Sequence, residues 1–283
     1  MATIGIMQNR LGPPIEGRFQ CFPRESWAAE FERAERAGLE SIEWIYDLYG
    51  ADVNPLATDQ GIEAMHALSA RHGVAIKSLC ADYFMDRPLL RTGPDEREEL
   101  LGILSWLIGR CARARIKHIV MPFVDASRIE TDAETIEVIA MLQPALDHAE
   151  DAGVELHLET SLRPDRFAAL LDRLPHPMLK ANYDSGNSSS LGYSPREEFA
   201  SYGPRIGSIH IKDRVRGGGT VPLGTGDADF PALFEAIGRV SYPGDYILQV
   251  ARGEPGNEVS WAARNRAWLV ERLRPAGPEE HEP

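Results

Sequence analysis

The sequence predicts a single (β/α)8 barrel, and three observations predict it. Eight short apolar runs alternate along the chain with eight stretches of helical period. Gly, Pro and capping residues punctuate them, with no shift in composition to mark a second domain. The length of 283 residues, 43% of them hydrophobic, suits one barrel with a large core.

Taken in order, Thr3–Met7 is the first strand, and Ser26–Ala37 the first helix, with Ser26 placed as an N-cap and Gly38 as a stop. Ser41–Ile45 is the second strand. Helix Gly61–His72 ends at Gly73, and Val74–Leu79 then alternates as a strand. Helix Asp95–Ala114 leads to strand His118–Met121, and helix Ala133–Asp151, stopped at Gly153, leads to Val154–Leu158. Helix Asp165–Leu174 precedes strand Leu179–Tyr183, and helix Pro195–Tyr202 precedes Ile206–Ile211. Helix Phe230–Arg239 leads to Tyr246–Val250, and Trp261–Leu273 closes the series. The barrel is expected to span residues 1–274, leaving the acidic, Pro-rich Pro275–Pro283 as a frayed tail.

A net charge of -13 and a pI near 5.1 argue against a nucleic-acid or anionic-membrane partner, because phosphates are bound largely through Lys and Arg. Cys21, Cys80 and Cys111 are odd in number and lack CxxC spacing, which points to reduced, buried thiols. The opening MATIGIMQNR has no basic region before a long apolar stretch, and no segment offers about 20 apolar residues in a row. A cytoplasmic protein acting on a small molecule, with no membrane partner, is expected.

Four strand segments run straight into a residue able to ligate a metal. Val154–Leu158 meets Glu159, Leu179–Tyr183 meets Asp184, Gly207–Ile209 meets His210, and Tyr246–Leu248 meets Gln249. A barrel gathers the C-terminal ends of its strands on one face, so residues far apart in sequence converge there. Two carboxylates, an imidazole and an amide oxygen form an oxygen-rich set suited to Mn²⁺, Mg²⁺ or Co²⁺, with Zn²⁺ also accommodated. Gln249 is the odd member, since an amide can coordinate but cannot take a proton. Residues two apart in a strand share a face, so His157 with Glu159, Asn182 with Asp184, and Ser208 with His210 and Lys212 point one way. Leu156, Leu158, Ala181, Tyr183, Ile209 and Ile211 point the other.

With these residues in place, the chain resembles the xylose isomerase-like barrel superfamily, in particular its sugar and sugar-phosphate isomerases and epimerases. The matching stretches are GIMQNRL at Gly5–Leu11, SIEW at Ser41–Trp44, LHLE at Leu156–Glu159, NYDSGN at Asn182–Asn187, HIKD at His210–Asp213, PLGTGDADF at Pro222–Phe230 and LQVARG at Leu248–Gly253. The resemblance implies one divalent ion, Mn²⁺ first among the candidates, held by Glu, Asp, His and Glu from strands five to eight. It carries over to Glu159, Asp184 and His210; the fourth position falls on Gln249, a departure from the commonest pattern. In such epimerases the two glutamates exchange protons with opposite faces of an enediolate, so Gln249 calls two-base epimerisation into question. A homo-oligomer is also an implication of the resemblance.

The chemistry follows from the residues. Removing a proton beside a carbonyl creates an enediolate, which a metal on both oxygens stabilises. Glu159 is the candidate general base. One base can shuttle a proton between adjacent carbons, whereas inversion needs a second donor. Candidates for that donor are Glu254, Asp213, His157, a metal-bound water and Lys212, and Lys212 is ranked as catalytic because it shares the face of His210.

Substrate contacts are expected from Glu43 and Trp44 at the end of strand two, where a ring would cover an apolar sugar face and a carboxylate would accept hydroxyls. Asp82, His157 and Asn187 join them, although Gly186 and Asn187 equally suit a tight turn. Arg10, Arg214, Arg216 and Arg252 each follow a strand, and with Gly217–Gly219 they favour a charged substrate over a neutral sugar; Arg216 and Arg252 are carried forward. The expected function is a metal-dependent isomerase or epimerase of a sugar or sugar phosphate. The alternatives are a metal-dependent lyase or hydrolase of an oxidised sugar, and a catalytically silent sugar-binding barrel. Endonuclease-like chemistry is disfavoured by the acidic charge.

Overall fold

The computed structural model describes residues 3–273. The first half of the barrel is built from strands β1 (Ile4–Met7), β2 (Ser41–Ile45), β3 (Ala75–Cys80) and β4 (His118–Phe123), with helices α1 (Ala29–Arg36), α2 (Asp59–His72), α3 (Tyr83–Asp86) and α4 (Pro94–Arg113) between them. Helix α5 (Asp132–Ala152) leads into the second half. There β5 (Glu155–Thr160), α6 (Pro164–Arg173), β6 (Leu179–Asp184), α7 (Ser185–Leu191), α8 (Pro195–Tyr202) and β7 (Ile206–Ile211) follow in turn. A small hairpin of β8 (Asp213–Arg214) and β9 (Thr220–Val221), then α9 (Phe230–Val240), β10 (Tyr246–Leu248) and α10 (Glu258–Leu273), complete the described chain. The barrel closes in the order β1-β10-β7-β6-β5-β4-β3-β2, and β1 pairs parallel with both β2 and β10.

The eight barrel strands are those predicted, and most differences lie at element ends. Helix α1 begins at Ala29, because Ser26 and Trp27 both donate to Pro23 O in a preceding turn, which takes Ser26 out of the cap position. Helix α5 begins at Asp132 under a capping box between Thr131 and Glu134, a T-x-x-E signature present in the sequence. Gly73 and Gly153 terminate α2 and α5 in the left-handed region, each with φ 66°, a conformation that favours glycine. Helix α10 starts three residues earlier than its apolar period indicates, at Glu258. Helices α3 and α7 and the β8–β9 hairpin have no counterpart in the prediction, being too short to carry a period. The expected tail Pro275–Pro283 lies outside the described residues.

Strand alternation sorts the side chains as the period of two requires. Leu156, Leu158, Ala181, Tyr183, Ile209 and Ile211 are buried against the helices, each Leu or Ile adding roughly 1.5–3 kcal/mol relative to exposure. The opposite face of β5, β6 and β7 is polar yet buried, with His157, Asn182, Ser208 and His210 all within the barrel. Asp184 pairs in register with His210 across β6 and β7, beyond a register shift at Ala181/Asn182. Among the described residues no helix is long and apolar enough to cross a membrane.

Candidate functional site

Glu159, Asp184 and His210 each offer a ligand atom, and these atoms lie within 4.8 Å of one another. All three sit in the last residues of their strands rather than just beyond them. Asp184 divides its oxygens between two tasks. Oδ1 caps α7 by accepting from Gly186 N at 2.8 Å and Asn187 N at 2.9 Å, while Oδ2 lies 4.0 Å from His210 Nδ1. Glu159 Oε2 approaches the same imidazole nitrogen to 3.5 Å and accepts from Asn182 Nδ2 at 2.9 Å.

The rest of the site orients these groups. His210 Nε2 meets Glu43 Oε1 at 2.7 Å, which leaves Nδ1 facing the two other ligand candidates. Burial opposes a charge on His210, but Glu43 and Glu159 on either side outweigh it and hold its pKa well above the ordinary value. Burial likewise works against ionisation of Glu43, and the neighbouring His210 and His118 reverse it, leaving Glu43 below the usual carboxylate value. A buried cluster so rich in acceptors needs positive charge. One imidazole and two carboxylates with donor atoms this close fit a single divalent ion, whose ligands stand about 2.0–2.6 Å from it.

Lys212 enters from the end of β7. Its ammonium has three neighbours to receive its three N–H groups: Asp184 Oδ2 at 3.3 Å, Gln249 Oε1 at 3.1 Å and Asn187 Oδ1 at 3.4 Å. The amide oxygen of Gln249 is thus engaged by an ammonium. Gly186 leaves room for this, since a Cβ there would stand 2.5 Å from Lys212 Cγ. Asn187 bridges the two candidate acid–base groups: its Nδ2 donates to Glu159 Oε1 at 2.5 Å, and its Oδ1 also accepts from Arg214 Nη1 at 2.8 Å. The sequence offers a turn at Gly186 and Asn187; the structure makes them the first turn of a capped helix.

A cavity of about 590 Å³ is lined by Glu159, Asn187, Lys212 and Gln249 together with Asp82, Gln20, Arg18 and Arg214. Asp82 accepts from Gln20 Nε2 at 2.7 Å, and burial pushes its pKa up to about 6. Several residues expected at the mouth lie elsewhere. Glu43 is wholly buried behind His210, so it faces a ligand candidate instead of the cavity. Trp44 points to the opposite side of β2, into a cluster with Phe22, Trp27 and Phe31, and its Nε1 donates to Asn54 Oδ1 at 3.0 Å. Adjacent residues in a strand face opposite ways, so the pair could not serve one substrate.

His157 lies two residues back along β5 and hence one layer deeper. It is wholly buried, contacts Ser208 Oγ at 2.8 Å and Glu155 Oε2 at 2.9 Å, and stacks on His118. Burial, with Lys180 and His210 adding to it, pushes its pKa down to about 3. Arg216 is exposed outside the cavity, where its backbone N–H donates to Asp227. Arg252 holds the β1–α1 loop by donating to Gly12 O and Phe19 O. Lys212 and Asp213, adjacent in sequence, do not pair; Asp213 instead collects the amides of Gly224, Gly226 and Ala228. Gln20 had no sequence signal, because it lies in an aperiodic loop and owes its place to three tertiary partners, Arg10, Asp82 and Gln249.

Comparison with known proteins agrees with this architecture. The family model described as xylose isomerase-like TIM barrel matches residues 31–272. The L-ribulose-5-phosphate 3-epimerase UlaE of Salmonella typhi is 24% identical over 265 residues, covering 90% of this chain and 93% of that protein. The structure of D-psicose 3-epimerase with D-tagatose from Clostridium cellulolyticum H10 superposes with a TM-score of 0.76 at 15% identity, over 96% of this chain and 100% of that one. A xylose isomerase-like TIM barrel protein from Mycobacterium smegmatis in complex with magnesium gives 0.72 at 20% identity, over 96% of each chain. At such identities the structural likeness establishes the fold.

Proposed function

Because the chain belongs to the xylose isomerase-like TIM barrel family, we propose that it is a divalent-metal-dependent isomerase or epimerase of a small sugar or sugar phosphate. The observation that carries this is the convergence of Glu159, Asp184 and His210 beside a cavity large enough for such a substrate. The names of the similar proteins, L-ribulose-5-phosphate 3-epimerase and D-psicose 3-epimerase, support a sugar as the reactant. Glu159, Asp184 and His210 would hold the ion, with Mn²⁺ first and Mg²⁺, Co²⁺ or Zn²⁺ as alternatives. Gln249 is a further ligand candidate through its oxygen.

When bound, the ion supplies Lewis-acid polarisation of substrate oxygens, which acidifies the adjoining C–H. Glu159 is the general base: Asn182 and Asn187 each donate to one of its oxygens, so the carboxylate is held in one orientation. Lys212 is the second acid. Its proton passes to the substrate carbon as a C–H bond forms, leaving a neutral amine, and solvent then takes the proton held on Glu159 and returns one to Lys212. With Lys212 as the donor, inversion would need no second carboxylate in the place of Gln249. Asp82 and Asn187 line the cavity and are the candidates for holding substrate hydroxyls, and Arg18 and Arg214 on the same wall are the candidates for holding a charged end. The test is incubation with Mn²⁺ and a panel of ketoses and their phosphates in D₂O. The expected product has the mass of its isomer plus one deuterium at carbon; a product altered by loss of water or by hydrolysis, or no reaction with any member, overturns the proposal.

A further inference from the structure

We infer that a second cavity, at the opposite end of the barrel from the metal-ligand candidates, is a binding site for a small organic anion with an apolar body. It holds about 390 Å³ between α2, the residues that follow α4 and the opening of β3. Glu159 and Asp184 stand where β5 and β6 close, whereas Ala75–Lys77 are where β3 begins, and in a parallel barrel those are opposite faces. The strand register makes the space. β3 starts at Ala75 but meets β4 only from Ser78, which pairs with His118, so beside Ala75–Lys77 the sheet gives way to the cavity. Met65, Ala70, Ile76 and Ala114 give it an apolar lining. Small-molecule sites have this size and character, with a few polar groups to fix the ligand's orientation.

The charge on its wall is of one sign. Arg115 and Lys117 are exposed there, no carboxylate lines the cavity, and among the described residues neither cation forms an ion pair, in a chain whose net charge is -13. Lys77 lines it too, but its ammonium is met by Thr3 Oγ1 and Asp245 Oδ2 at 2.9 Å each. Arg115 is placed against a backbone preference. Gly38, Gly73 and Gly153 take the left-handed conformation that ends α1, α2 and α5, whereas after α4 it falls to Arg115 at φ 61°, where a Cβ crowds the backbone. Nor does the end of α4 need this cation. Arg110 and Arg113 already stand in its last turn, and His66 Nε2 donates to Ala114 O at 3.0 Å. Two cations without carboxylate partners beside an apolar hollow are complementary to an anion that carries an apolar group.

The experiment titrates the full chain, loaded with diamagnetic Mg²⁺, with phenyl phosphate, benzoate, inorganic phosphate and benzylamine. The ring C–H signal of His66, assigned from His66→Gln, reads this cavity, and that of His210 reads the other end of the barrel. Phenyl phosphate or benzoate should shift His66 saturably, and the tighter of the two names the head group as a phosphate ester or a carboxylate. Inorganic phosphate lacks the apolar body and should bind at least about tenfold more weakly than phenyl phosphate. Benzylamine, of opposite charge, should leave His66 unmoved. Arg115→Gly and Lys117→Glu should each weaken the aromatic anion at least about threefold. Glycine suits the left-handed position, so Arg115→Gly should keep a Tm within about 2 °C of wild type or above it, which separates lost charge from lost fold. The absence of a saturable His66 shift with both aromatic anions overturns the site. So does benzylamine binding as tightly as benzoate, inorganic phosphate binding as tightly as phenyl phosphate, or unchanged affinity in both variants. Sugar turnover does not enter these readouts, so the site stands or falls apart from the function proposed above.

Discussion

Glu43 Oε1 and His210 Nε2 meet at 2.7 Å inside the closed barrel, both wholly buried. The contact decides which imidazole nitrogen faces Glu159 and Asp184. Glu43→Gln keeps the volume but weakens this hold, and Mn²⁺ affinity measured by calorimetry should fall about 10–100-fold. Unchanged affinity would show that His210 is oriented by other means.

Asp184 should separate into its two oxygens. Asp184→Asn retains an oxygen to cap α7 but gives up the buried charge that faces Lys212, so metal binding should drop sharply while the cap persists. Asp184→Ala should lose the cap as well, at a further cost of about 1 kcal/mol in urea unfolding. Equal stability of the two variants would contradict the capping role.

Glu159→Gln removes the base while preserving an acceptor for Asn182. Deuterium exchange at the substrate C–H should fall about 10²–10⁴-fold. Exchange at the wild-type rate would be incompatible with Glu159 as the general base.

Glu198 lies buried against Ser188 and Tyr202, and burial pushes its carboxyl up to about 7. The folded state therefore keeps a proton that the unfolded chain releases near its ordinary value. This contribution to stability is fully present below about pH 4.5 and is lost as pH rises towards 7, by up to about 3 kcal/mol. Urea unfolding at pH 5 and pH 8 should show wild type losing more stability over that interval than Glu198→Gln. A wild-type decline no steeper than the variant's would count against the assignment.

Trp44 packs among Phe22, Trp27 and Phe31 and does not line the cavity. Trp44→Ala should cost about 3–5 kcal/mol of stability. Trp44→Phe should leave KM for the substrate unchanged, and a KM raised tenfold in that variant would return Trp44 to the substrate.

The alternation of apolar runs and helical stretches, the stops at Gly73 and Gly153, and the order of ligand-capable residues after the late strands were all legible in the sequence. They are local properties: a period of two or 3.6 residues, a glycine at positive φ and a short motif each leave their mark within a few neighbours. The convergence of Glu159, Asp184 and His210 was legible too, because a closed parallel barrel leaves its strand ends nowhere else to go. The partners of each side chain were decided by tertiary structure alone. Glu43 was read as a substrate contact and stands behind His210, His157 lies a layer too deep, and Trp44 faces outward; depth along a strand and the register between strands come from closure of the whole sheet. Gln20, which meets Arg10, Asp82 and Gln249 from an aperiodic loop, had no sequence signature at all, since a hydrogen bond between distant residues exists only once the chain has brought them together.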